Sequence, residues 1–305
     1  MAGRFILTFD CEGKWGCADA LAPRDRRCLT NEKLRAAYAS ILHLLDHHRV
    51  EATFAFSGAF SQSPLAFERI RPHLQELSRR APDYLGPALR DIAVTQGDGW
   101  HGDQLVRATA VSRTPHEIAL HGVTHVPWTT VDRSFAQKEM ELFEMLEGPV
   151  RVSRTFVYPR NLIAHEDVLA KHGFAGFRAA PPPRSRLASL LSEINLSEKP
   201  ERPLRSDGMV RIPAGFFLNW RSGPRRLVPA AVTCARVRGL LRRAASTGAV
   251  VHYWLHPENI ATAPSTFESL QRLVHDVAAA RDAGDCLVLT QLDYCRWIDG
   301  LRSDS

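Results

Sequence analysis

A chain of 305 residues with 45% hydrophobic and 24% charged content is long and apolar enough to bury a sizeable core, which excludes the disordered and fibrous classes. It holds no run of 18 apolar residues, so no membrane span is predicted. The net charge of +6 is spread along the chain rather than gathered in one block, and such an excess reads as solvated surface, giving no support to a nucleic-acid partner.

The N-terminal segment MAGRFILTFDCEG has too short an apolar run, and no small-residue cleavage site before Asp10, to read as a secretory leader. It reads instead as a first strand, Arg4 to Phe9, and a cytoplasmic location is expected. The six cysteines are scattered without a CxxC pair, so neither a disulfide framework nor a structural zinc knuckle is expected. Asn31 is a candidate N-cap for a helix through His48, with Leu34, Ala37, Tyr38, Ile41 and Leu45 on its apolar face. Further short apolar runs rich in β-branched or aromatic residues predict strands at Ala52 to Ser57, Glu117 to Leu120, Thr155 to Tyr158, Val210 to Pro213, Ala249 to Leu255 and Cys286 to Thr290.

Helical patterns fall between these runs. One is capped by Ser134, one runs from Asp167 to His172 before Gly173, and two more cover Val228 to Ala245 and Phe267 to Ala283. Strands alternating with helices imply βαβ units and a parallel sheet, in one α/β domain spanning residues 1–305. Two stretches interrupt the alternation: a mostly helical insertion at about 62–114, and a Pro- and Ser-rich extended loop at about 181–207.

Chemistry-bearing residues recur where predicted strands end, the position at which parallel α/β folds place their active sites. After the first strand, Asp10 and Glu12 share a face if the extended backbone continues, and two carboxylates together call for a cation or a proton. After EIAL comes His121-Gly122-Val123-Thr124-His125, two histidines at the spacing of one helical turn, suited to a common metal. The strand at 155–158 leads into Tyr158-Pro159-Arg160-Asn161, and VVHYW leads into Leu255-His256. Acids and imidazoles around one metal make a hydrolytic site.

In that order the four segments resemble the polysaccharide deacetylase family, the carbohydrate esterases that share the NodB homology domain. Thr8-Phe9-Asp10-Cys11 resembles the family's TFDD, and His121 to His125 its H-(S/T)-x-x-H. Phe156 to Arg160 resembles its aromatic turn with proline, and Leu255-His256 a shortened Leu-x-His. The resemblance covers about Arg4 to Trp297. It implies a distorted (β/α)7 barrel and one divalent metal held by a carboxylate and two histidines. Carried over by residue, Asp10 becomes the catalytic base, His256 the acid, and Arg160 the group that orients Asp10 or binds substrate. His121 and His125 become metal ligands.

The departures are specific. Cys11 stands where the family's metal-binding aspartate follows the base, so Glu12 is expected to supply the carboxylate, with a Cys11 thiolate as the alternative. Gly122 replaces a hydroxyl residue, for which Thr124 compensates. The insertion at 62–114 is expected to shape the substrate pocket, and Trp15, Trp100, Tyr158 and Asn161 are candidate substrate contacts. Zinc suits the ligand set; cobalt, nickel, iron or manganese would also fit it. The expected activity is removal of an N-acetyl or other N-acyl group from an amino sugar of a surface glycan or its precursor. The alternative on the same fold is hydrolysis of a small amide, imide or ureide, as in the allantoinase-like branch; a catalytically inactive carbohydrate-binding relative is a third reading. Self-association is left open.

Overall fold

A computed structural model describes residues 2–182, 192–202 and 208–303. Among these residues nine strands form one sheet in which every pair is parallel: β1 Gly3–Cys11, β2 Thr53–Phe56, β3 Glu117–Leu120, β4 Thr155–Phe156, β5 Gly176–Arg178, β6 Val210–Ile212, β7 Phe216–Phe217, β8 Val250–Leu255 and β9 Cys286–Leu289. Their order is β6-β5-β4-β3-β2-β1-β8-β7, with β9 pairing the start of β1. Gly3 to Ile6 of β1 lie against β9, whereas Thr8 to Cys11 lie against β2. The first strand is thereby the centre of the sheet, and its C-terminal end projects among β2, β8 and the loops beyond them. With helices packed outside it, this curved sheet, open between β6 and β7, is the distorted (β/α)7 barrel.

All seven predicted strands are present. The two additional ones, β5 and β7, have three and two residues, too few to show a periodicity. The helix Asn31–His48 is found at its expected bounds, but Thr30 caps it, its Oγ1 accepting from Lys33 N at 3.3 Å. Likewise the helix Arg133–Glu144 is capped by Asp132 rather than Ser134. The insertion contains three helices, Pro64–Ser78, Pro82–Thr95 and Asp103–Ala110. Of the predicted loop at 181–207, residues 183–191 and 203–207 lie outside the described residues; Glu201 forms an antiparallel bridge to Val250.

Alternation along β1 sorts its side chains onto two faces. Phe9 pairs in register with Phe54, and Phe54 in turn with Ile118; the Phe9 and Phe54 rings stack at 4.6 Å, beneath Tyr38 of the first long helix. The opposite, inner face is polar rather than apolar. Thr8 is in register with Thr53 and Glu117, and the Glu117 carboxylate accepts from Thr53 Oγ1 at 2.8 Å and from Thr155 Oγ1. Gln291 donates to Thr8 Oγ1 (3.0 Å), the Thr8 hydroxyl donates to His252 Nε2 (2.8 Å), and His252 Nδ1 donates to Pro213 O (2.6 Å). This hydrogen-bonded layer closes the bottom of the barrel, and burial holds His252 neutral, its pKa pushed down to about 3.

Candidate active site

Above that layer, Asp10 is in register with Ala55, which is in turn in register with Ala119. These methyl side chains leave the interior free for a guanidinium. It comes from β5: Arg178 Nη1 donates to Asp10 Oδ1 at 2.8 Å and Nη2 to Oδ2 at 2.6 Å, both residues being at most 2% exposed. Arg178 Nε and Nη2 also donate to Asn161 Oδ1 at 3.1 and 2.8 Å, and its guanidinium stacks 4.6 Å from the Trp254 ring. Burial pushes the Asp10 carboxyl up, but Arg178, helped by His121, outweighs it and holds the group below the usual carboxylate range.

Arg160, expected to orient Asp10 or bind substrate, is not the arginine on Asp10, though it lines the cavity beside His256. Its guanidinium bonds Asp19 Oδ1 at 2.6 Å and lies 5.3 Å from the Tyr84 ring. The cause is local: Arg160 and Asn161 both have left-handed backbone, with φ of 57° and 56°, so the turn after Pro159 aims Asn161 at Arg178 and carries Arg160 to Asp19 at the rim of the cavity. The missed residue had one sequence signal, an arginine inside the apolar run AGFRAA that follows Gly173.

Glu12, His121 and His125 form one cluster, their ligating atoms all within 4.8 Å of one another. Glu12 Oε2 lies 2.6 Å from His125 Nε2 and 3.2 Å from His121 Nε2, and Glu12 Oε1 lies 3.7 Å from His256 Nε2. His121 Nδ1 donates to Val157 O at 2.8 Å, so in the neutral ring Nε2 turns a lone pair toward the carboxylate. Facing lone pairs at such distances need a cation or a proton between them. One carboxylate and two imidazoles, one of them oriented by a backbone carbonyl, is a donor set that fits a divalent metal. Burial works against the Glu12 charge, yet the facing His125 and His256 hold its pKa well below the usual range. Cys11 is outside the cluster; it is fully buried, its Sγ directed at Phe9 O, and burial pushes its thiol well above the ordinary value.

Neither half of the cluster is arranged by the regular geometry that the spacing suggested. The His121–His125 segment is not a helical turn: Gly122 has φ 66° and His125 φ 59°. The left-handed conformation at position 122 favours glycine, and a Cβ there would lie 3.0 Å from Pro159 Cγ. The loop is instead built around Glu139, whose buried carboxylate accepts from Val123 N (2.9 Å), Thr124 N (2.5 Å), Thr124 Oγ1 (2.6 Å) and Trp128 Nε1. Glu12 likewise lies one residue past the strand, with ψ −13°, so strand alternation does not place it. Glu258 does: its Oε1 accepts from Glu12 N at 3.2 Å and Gly13 N at 2.6 Å. Burial, then the Glu12 charge, push the Glu258 carboxyl up to about 8.

His256 follows β8 and caps the helix Pro257–Thr262. Its Nδ1 donates to Asn259 Oδ1 at 3.3 Å, which leaves Nε2 toward Glu12. His256 stands at the edge of a cavity of about 1000 Å³, also lined by Arg160, Asn161, Phe216, Phe217 and Trp254. Trp254 therefore has Arg178 against its ring, Phe217 at 4.8 Å and His256 at 5.8 Å. No residue of the 62–114 insertion is among those lining this cavity.

Three of the four candidate substrate residues lie elsewhere. Trp15 and Trp100 are buried in an edge-to-face pair at 5.3 Å, and their indole N–H groups donate to Trp100 O and Asp91 Oδ2. They join the end of the insertion to the turn after β1, with Lys14 N bonded to Gly99 O and Lys14 Nζ to Asp98 O. Tyr158 is fully buried among Trp128, Phe156 and Phe177. Asn161 reaches the cavity, but its side-chain oxygen is taken up by Arg178.

With this geometry in view, solved structures provide the comparison. A protein assigned as a polysaccharide deacetylase from Mycobacterium smegmatis superposes with a TM-score of 0.58 at 16% identity, over 99% of this chain and 92% of that one. The fold is that of the polysaccharide deacetylases. Another protein so assigned, from Pseudomonas aeruginosa, and the PuuE allantoinase each match with a TM-score of 0.55 at 13% identity, over 96% of this chain and 90% of theirs. No family model and no curated protein sequence matches the chain.

Proposed function

We propose that this chain is a metal-dependent hydrolase that removes an N-acetyl or other N-acyl group from an amino sugar of a surface glycan or its precursor. The observation that carries this reading is one juxtaposition. The Glu12–His121–His125 cluster sits beside a carboxylate held by Arg178 and an imidazole held by Asn259, at the edge of a cavity.

A divalent cation, zinc by ligand type, bound by Glu12, His121 and His125 supplies Lewis acidity toward an amide carbonyl and makes water more acidic. Asp10 is the base. Arg178 fixes its orientation, and each carboxylate oxygen keeps a further lone pair for the proton of an attacking water. His256 is the acid: the Asn259 contact keeps a proton on Nδ1, so the proton delivered to the leaving nitrogen is carried on Nε2. Trp254 and Phe217 offer aromatic faces beside it for the body of the substrate. A cytoplasmic site of action would make the substrate a glycan precursor.

The cavity, at about 1000 Å³, has the volume of a large small-ligand site, and a small amide, imide or ureide is the second substrate class. The test is acetate release from a panel of N-acetylated sugars, and conversion of small amides, imides and ureides to their carboxylate products, with metal content measured on wild type, Glu12→Ala and His125→Ala. About one equivalent of divalent metal in wild type, lost in both variants together with activity, is the expected result. Wild type that neither contains nor takes up metal refutes the mechanism.

A further inference from the structure

The metal reading of the site raises a structural question that the ligands do not answer: what fixes Glu12, which has left the strand before its side chain turns toward His121 and His125. The only side-chain acceptor on its backbone N–H, among the described residues, belongs to Glu258, 246 positions later. One oxygen of that carboxyl takes both Glu12 N and Gly13 N, at 3.2 and 2.6 Å. Gly13 has φ 53°, and a Cβ on it would lie 2.5 Å from the Phe60 ring, so this turn requires glycine at position 13. Gly16 completes the arrangement: a Cβ at 16 would lie 1.9 Å from Glu12 Oε1, so the glycine vacates the space that the glutamate side chain occupies.

Glu258 itself is 6% exposed and stands two residues after His256, in the first turn of the helix that His256 caps. A single side chain therefore fastens the segment carrying the carboxylate of the cluster to the segment carrying the candidate acid.

We infer that Glu258 is a positioning residue that presets Glu12 for metal by holding the Glu12–Gly13 backbone. The inference rests on the metal reading of the site. What matters is the reach of an acceptor oxygen to two N–H groups, not the charge that bears it. Outer partners of metal ligands commonly contribute about 10–100-fold in metal affinity, which sets the scale expected here.

The experiment is zinc titration of the metal-stripped full chain, by competition with a chromophoric chelator, for wild type, Glu258→Gln, Glu258→Asp and Glu258→Ala. Far-UV circular dichroism and thermal melts are recorded on each. Gln keeps an oxygen at the same reach and is expected within about threefold of wild type; Asp, shorter by one methylene, and Ala are expected to weaken zinc about 10–100-fold. If Ala does not fold, the Gln and Asp pair decides alone. Asp equal to wild type with Gln impaired would show that charge matters rather than reach, and overturns the inference. Four equal zinc affinities, even with lowered melting temperatures, also overturn it while leaving the metal site standing. A wild type that binds no zinc overturns both.

Discussion

Arg178→Met tests the central electrostatic claim about the site. The substitution removes a guanidinium that is fully buried and bonded to both oxygens of Asp10, while leaving an apolar side chain of similar length in its place. Asp10 is then a buried carboxylate without its counter-charge, and Asn161 Oδ1 loses two donors. Removing one partner of a buried ion pair costs about 3–5 kcal/mol. For a chain of 305 residues an unfolding entropy of about 2.1 cal/mol/K per residue amounts to about 0.6 kcal/mol/K, so the melting temperature should fall by about 5–8 °C. The pairing, as opposed to loss of volume, is isolated by a double-mutant cycle with Asp10→Asn, measured by urea unfolding. Asp10→Asn/Arg178→Met removes both charges and should be more stable than Arg178→Met alone. A coupling energy of at least about 1.5 kcal/mol is expected. An Arg178→Met cost below about 1 kcal/mol, or one unchanged by Asp10→Asn, would refute the view that this pair holds the site.

The remaining predictions address the loop, the acid side of the stability profile and the metal. Glu139→Leu leaves the N–H groups of Val123, Thr124 and Trp128 buried without an acceptor; at about 1–3 kcal/mol each it should be the most destabilising single change around the histidine loop, as read by urea unfolding. Burial lowers His252 to about 3 and His116, whose ring nitrogens have no hydrogen-bond partner among the described residues, to about 4. The unfolded chain binds these protons first, so their contribution is fully present above about pH 6.5 and is lost as pH falls toward 4 for His116 and toward 3 for His252; His116 alone accounts for up to about 3 kcal/mol, and His116→Phe should reduce the slope of the urea midpoint against pH between about 6.5 and 4. Zinc at about 100 times its dissociation constant should stabilise the stripped protein by about 2.7 kcal/mol, or about 4 °C in the melt, and the shift should vanish in His125→Ala. Asp10→Asn should lower turnover by about 100-fold or more without abolishing zinc uptake, checked by acetate release and metal content.

The parallel barrel was legible because its strands are apolar, and because Gly, Pro and polar residues punctuate them. What could not be read was the character of the inner face. Thr8, Thr53 and Glu117 look like polar interruptions of apolar strands until cross-strand register aligns them into one hydrogen-bonded layer beneath Asp10. Register is a relation between strands, and no single segment carries it. The same holds for β5, whose three residues have no periodicity to detect yet deliver the arginine on Asp10 from 168 positions away.

The candidate site shows a sharper division. Each residue type was found where a strand ends, but the local geometry assumed for bringing them together was wrong in both cases. Helical spacing does not join His121 to His125, nor strand alternation Asp10 to Glu12; left-handed backbone and two buried glutamates do. Backbone groups at such turns have no ladder partner, and burial obliges some side chain to satisfy them. Glu139 and Glu258 answer that demand from distant helices, in one case 15 residues away and in the other 246. A carboxylate two residues beyond a candidate catalytic histidine, in His256-Pro257-Glu258, is therefore better read as an acceptor for irregular backbone nearby than as a second acid for the reaction. The Trp15–Trp100 pair follows the same logic from the apolar side: next to a site of irregular turns, large rings are needed to hold the turns still before any are left to meet a substrate.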